Sequence, residues 1–153
     1  MILQSNIDHT QQVTYFDLFG NTPSKIQLET ATITTTGNTD GYVIAPISGA
    51  LVSIDFSGVD ALATSDTNYI TFTVTNLGQA GAGSTVMLGA VDGNTTKATG
   101  GTAISANTKR TLTLSTATSA TEVAEGDRLR IRAAVTGTLA NTVTFPVYLL
   151  RFR

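Results

Sequence analysis

Apolar residues recur at every second position in several separate runs of this chain. A period of two is the signature of strands with one face in a core. The cleanest run is Tyr69–Thr75, where Ile70, Phe72 and Val74 point one way and Tyr69 and the threonines point the other. Residues 50–57 repeat the pattern with Val52, Ile54 and Phe56, and residues 109–115 with Leu112 and Leu114. Between Glu125 and Gly137 the alternation is strict: Leu129, Ile131, Ala133 and Val135 share one face, and Arg128, Arg130 and Arg132 the other. These runs predict a core of Val52, Ile54, Phe56, Ile70, Phe72, Val74, Leu112, Leu114, Leu129, Ile131 and Val135. A different pattern occupies 142–150, which is apolar on both faces. Such a strand needs cover on both sides, from a second sheet or from another subunit.

Shorter strands are predicted over 13–19, 25–34, 42–45 and 85–91. In 25–34, Ile26, Leu28 and Thr32 are in phase while Ile33 is out of phase, so a bulge is expected near Thr30–Ala31. Turn residues divide the runs: Gly20-Asn21-Thr22-Pro23, Gly37-Asn38-Thr39-Asp40-Gly41 and Pro46-Ile47-Ser48-Gly49. Residues 77–84 form a loop. Two further loops are longer: 57–67, with a helical turn around Val59–Leu62, and 92–107, expected to be mobile with one edge strand. The sum is eight or nine strands and no amphipathic helix. The fold class is therefore all-β, an antiparallel β-sandwich. The long loops suggest strands crossing between sheets, in a jelly-roll-like order. Residues 13–153 form a single domain. Residues 1–12 lack either period: they are a frayed terminus or, because Ile2, Leu3 and Ile7 are costly to leave in water, an extended N-terminal arm that orders against a partner.

Composition sharpens this picture. Thr accounts for 29 of 153 residues, while charged residues are only 13%, about half the usual ~25%. The outer faces are thus hydroxyl-rich rather than charge-rich, and β-branched Thr favours strands. The net charge of −2 argues against general nucleic-acid binding. It is unevenly spread, however: residues 1–100 carry −6 and residues 101–153 carry +4. Either the two halves neutralise each other within one folded domain, or they form a dipolar surface that docks on complementary charge. Cysteine is absent, which excludes disulfides, thiolate metal sites and a cysteine nucleophile. Met1-Ile2-Leu3 is followed at once by polar Gln4-Ser5-Asn6, unlike a secretory signal, and no apolar run reaches ~18 residues. The expectation is a protein made in a cytoplasm, with no membrane partner.

Chemistry is sparse. The single histidine, His9, lies in the arm, whereas a triad or metal site needs an imidazole held by neighbours. Asp55, Asp60 and Asp66 lack the dense spacing of a calcium loop. Asp92-Gly93-Asn94 reads as a turn, and Gly78–Gly83 does not match a dinucleotide loop. No catalytic residue, metal or cofactor is expected. The arginine row stands out, because like charges along one strand face repel unless acids or a partner sit opposite. Glu29, Glu122, Glu125 and Asp127 are the candidate acids. Arg128, Arg130 and Arg132, with Phe145, Tyr148 and Leu150 of the doubly apolar run, are the candidate subunit interface.

Three stretches carry a resemblance. They are Tyr42-Val43-Ile44-Ala45-Pro46-Ile47-Ser48-Gly49-Ala50-Leu51-Val52, Asn68-Tyr69-Ile70-Thr71-Phe72-Thr73-Val74-Thr75-Asn76, and Val123-Ala124-Glu125-Gly126-Asp127-Arg128-Leu129 running into a C-terminal strand. In this order, around a Gly/Ala/Thr-rich middle, residues 40–153 resemble small structural proteins of tailed bacteriophages, in particular capsid decoration (cement) proteins. The resemblance implies a non-enzymatic virion protein on the outer capsid surface. It also implies a homotrimer, the major capsid protein as partner, and a capsid-contacting arm carrying Ile2, Leu3 and Ile7. The alternatives are a trimeric tail-fibre or receptor-binding head and a carbohydrate-binding module. The latter is disfavoured by the absence of Trp.

Overall fold

The computed structural model describes residues 13–15, 24–90 and 92–153. Its strands are β1 (Val13–Tyr15), β2 (Ser24–Glu29), β3 (Asn38–Ile44), β4 (Gly49–Ser57), β5 (Tyr69–Asn76), β6 (Thr85–Val86), β7 (Arg110–Leu112), β8 (Glu122–Val123), β9 (Arg128–Thr136) and β10 (Val147–Phe152). One sheet runs β1-β2-β10-β4-β7, with β8 paired to the start of β4; the other runs β3-β9-β5-β6. Every strand pairing in both sheets is antiparallel. The chain passes from β2 across to β3, back to β4, over to β5 and β6, back to β7, over to β9 and back to β10. That alternation, giving 2-10-4-7 facing 3-9-5-6, is the jelly-roll order. The β-sandwich expected from the alternating runs is therefore the observed architecture.

The core lies between the sheets. Ile26 and Leu28 of β2, Ile54 and Phe56 of β4 and Tyr148, Leu150 and Phe152 of β10 face Val43 of β3, Leu129, Ile131 and Ala133 of β9 and Ile70, Phe72 and Val74 of β5. Rings from both sheets meet at its centre: Phe56 lies 4.7 Å from Phe72 and 5.2 Å from Tyr148. Leu114 and Val135 are partly buried against this cluster.

Several expectations are corrected, each for a local reason. Val52 is 42% exposed, and Leu51 is buried in its place. Arg151 pairs with Ser53 and Phe152 with Leu51, so one step on β10 spans two on β4. Val52 is the extra residue of this bulge, and beyond it the inward phase reverses. The turn predicted over 37–41 is strand from Asn38 onward. Gly41 belongs to β3 because a β-carbon there would lie 2.5 Å from Thr30 Cγ2 and 2.7 Å from Leu28 Cδ2. The glycine serves the close approach of the two sheets, not a reversal. The strand expected over 25–34 with a bulge at Thr30–Ala31 is shorter: β2 ends at Glu29, and the out-of-phase Ile33 is buried beyond it through an isolated bridge to Val143.

The loop over 92–107 is anchored rather than free. Buried Asn94 donates to the carbonyls of Gly89 (2.8 Å) and Thr113 (2.7 Å) and accepts from Thr113 N–H (2.8 Å). Arg110 donates to the carbonyls of Gly93, Thr95 and Thr102. Leu62 bridges Ile104, and no helical turn forms at 59–62. Asn94 is thus a staple between loop and β7, where the sequence suggested only a turn. Among the described residues, no helix is long and apolar enough to cross a membrane.

Candidate docking surface

Side chains of even number on β3 and β9 and of odd number on β5 face away from the core, because β-strand side chains alternate. The register then composes this outer face. Asp40 lies opposite Arg132, Tyr42 opposite Arg130, and Ile44 opposite Arg128. On the other side of β9, Thr73 is opposite Arg132 and Thr75 opposite Arg130, with Val86 next across from Thr75.

The three guanidiniums have three different surroundings. Arg132 makes a bidentate pair with Asp40, Nε to Oδ1 at 2.6 Å and Nη2 to Oδ2 at 2.7 Å. This hydrogen bonding, helped by the Arg132 and Arg130 charges, holds the Asp40 carboxyl below its ordinary pKa. Arg128 sits over the Tyr42 ring at 4.2 Å from its centroid, in cation–π contact. Arg130 lies between them, and its Nε is buried without a hydrogen-bond partner among the described residues. The acid that answers the row is therefore Asp40, which the sequence reading did not name. Asp127, one of those it did name, accepts instead from Asn76 Nδ2 and Ala124 N–H, both at 2.9 Å.

Apolar groups border the row: Tyr42, Ile44 and Val86 are 42%, 48% and 51% exposed. On the β5 side the face opens into a groove of about 430 Å³ lined by Tyr69, Thr71, Thr73, Val86, Thr95 and Lys97. The Lys97 ammonium lies 5.9 Å from the Tyr69 ring centroid.

The remaining candidate interface residues separate. Tyr148 and Leu150 are buried in the core of the single chain, and burial raises the Tyr148 pKa. They offer no surface to a partner, which corrects their assignment. The doubly apolar run is resolved within one chain: its strand starts at Val147, its even residues point inward, and Val147 and Leu149 are half-covered on the outside. Phe145 stands apart at 64% exposed, with φ of 46° immediately before Pro146. Its neighbours are fixed. Thr144 donates its N–H (2.8 Å) and hydroxyl (2.5 Å) to Asp60, and the Pro146 carbonyl accepts from Thr30 N–H at 3.0 Å. Ile2, Leu3, Ile7 and His9 lie outside the described residues.

The opposite outer face, on the β2-β10-β4-β7 side, is internally compensated. Asp55 there is buried and accepts from Thr111 Oγ1 (2.6 Å) and Arg151 Nη1 (2.8 Å), with Lys109 at 3.8 Å. Asp60 and Asp66 instead cap Thr144 and Thr99, and among the described residues no three of His, Cys, Asp and Glu gather into a metal-binding group. Compared with known protein families and with curated proteins, the chain matches neither a family model nor a protein.

Proposed function

We propose that this chain is a non-enzymatic structural protein of a virus particle, a decoration protein that binds and stabilises the outer surface of a tailed-phage capsid. One observation carries the reading. The outer face of the β3-β9-β5-β6 sheet combines Arg128 and Arg130, without internal carboxylate partners among the described residues, with exposed Tyr42, Ile44 and Val86. Arginine and tyrosine beside aliphatic residues form the composition of protein-interface centres. The sequence resemblance supplies the partner, the major capsid protein, and the assembly unit, a homotrimer. Exposed Phe145 supports a further protein contact, since an aromatic held in a strained backbone well points to a constraint beyond folding.

Mixing the purified protein with capsids that lack it, then sedimenting the particles, tests the reading. Stoichiometric co-sedimentation is expected, together with a higher temperature of capsid disruption. Protein left wholly in the supernatant at micromolar concentration would exclude it. Analytical ultracentrifugation addresses the trimer separately, where a clean monomer at high micromolar concentration would count against it.

A further inference from the structure

We propose that Arg128 and Arg130 form a carboxylate-binding pair that receives an extended acidic segment of a partner protein, laid along β9. This deepens the docking role proposed above and rests on it for the identity of the surface. The first ground is the row itself. Arg128, Arg130 and Arg132 are equivalent by register, and Arg132 already holds a carboxylate in a bidentate grip, from Asp40 on the neighbouring strand. At the next two positions of that strand stand Tyr42 and Ile44, where acids would have closed the row. Among the described residues, the sheet therefore completes one arginine–carboxylate pair and leaves two guanidiniums without a carboxylate.

The second ground is the state of Arg130. Its Nε is buried and has no acceptor among the described residues, an arrangement that is costly to leave unmade. A carboxylate docked on the accessible part of this half-buried side chain would offset that cost through the guanidinium charge. Arg128 is held against the Tyr42 ring in cation–π contact, and among the described residues no carboxylate pairs with it. The third ground is spacing. Residues two apart on a strand are about 6.6 Å apart, so a second extended segment with acids at alternate positions matches the pair in register. Its intervening side chains point away from the sheet, and the apolar, about half-exposed Ile44 and Val86 flank the row for contact with the rest of the partner. Those apolar flanks and the overall charge of −2 favour a protein segment over a nucleic acid, whose binding rests on dense positive charge.

The test uses the full chain and three probes. They are a short soluble peptide alternating glutamate with valine and threonine, the same peptide with glutamine for every glutamate, and single-stranded oligothymidylate. Binding is followed by amide shifts in ¹H–¹⁵N spectra. The glutamate peptide is expected to move amides of β3 and β9 and to weaken as salt rises. Arg130→Gln and Arg128→Gln should each weaken it roughly tenfold, the loss of one charged hydrogen-bonding partner. Lys25→Gln, on the other sheet, should leave it unchanged, and melting curves check that each variant is folded. Equal binding of the glutamine peptide, shifts confined to other strands, or tighter binding of oligothymidylate would each overturn the proposal. Failure of the two readings is separable. A chain that binds the glutamate peptide through Arg130 but ignores capsids defeats the capsid assignment alone. Capsid binding retained by a folded Arg128→Gln, Arg130→Gln double variant defeats the acidic-segment inference alone.

Discussion

Single residues carry more of this structure than their type announces. Asp55 is a buried carboxylate on an outward-facing strand position. Burial alone would raise its pKa, but bonds from Thr111 and Arg151 and the nearby Lys109 charge outweigh it, and the net shift is downward from 3.8. A carboxyl whose folded pKa is lowered adds stability that is complete above its unfolded value and is lost as pH falls through the folded one. Asp55→Asn should therefore cost about 1–3 kcal/mol at neutral pH and flatten acid unfolding below about pH 4, measured by urea titration across pH. Phe145 behaves in the opposite sense. Left-handed φ costs a non-glycine residue about 1–2 kcal/mol, and its exposed ring returns little packing. Phe145→Gly should leave the chain as stable or up to about 1 kcal/mol more stable, while weakening self-association or capsid binding. A large loss of stability would instead make the ring a packing residue. The role of Asp55 was not legible in sequence, where it reads as a polar position in an alternating strand, because it depends on partners far along the chain. Phe145 was named from its apolar run as an interface candidate, but its left-handed backbone was not visible there.

At the scale of strands, the period of two located β4, β5 and β9, a doubly apolar run marked β10, and the first half of β3 lay hidden behind turn composition. The inward faces of β5 and β9 are those the alternation predicted, since both strands run without interruption. The bulge in β4 is set by pairing with β10, some 95 residues later in the chain, and no local signal marks it. It exchanges Leu51 for Val52 in the core. Leu51→Ala should cost about 2–5 kcal/mol, whereas Val52→Ala should fall within about 0.5 kcal/mol, as for surface substitutions. Equal costs would return Val52 to the core. Gly41 gives a second check, because turn chemistry and close sheet approach both select glycine. Gly41→Ala should destabilise by about 1–3 kcal/mol through overpacking against Leu28 and Thr30. In the candidate docking face, the arginine row was visible from period alone. Its partner Asp40 was not, because residues 37–41 carry the composition of a turn.

Across the whole molecule, the last quarter of the chain closes both sheets. β9 lies between β3 and β5, and β10 lies between β2 and β4, so each sheet is split until residues 128–152 arrive. The pairs that close them are distant in sequence: Tyr42 meets Arg130, and Leu28 meets Tyr148. Folding dominated by such contacts is slow, in the millisecond-to-second range for sandwiches of this kind. β10 also supplies Tyr148, Leu150 and Phe152, each at most 1% exposed, to a core whose other large buried rings among the described residues are Phe56 and Phe72. Removing residues 147–153 would therefore open two strand edges and strip the centre of the core together. The truncated chain is expected to show no cooperative melting and a collapsed amide spectrum. The missing element is an extended strand with β2 and β4 waiting on either side, the geometry in which a separate strand can complete a sheet. A synthetic peptide of residues 147–153 should then restore dispersed amide signals in proportion to its occupancy. Cooperative folding of the truncated chain without peptide would show that the sandwich closes without its central strand, and would overturn this account of what holds the two sheets together.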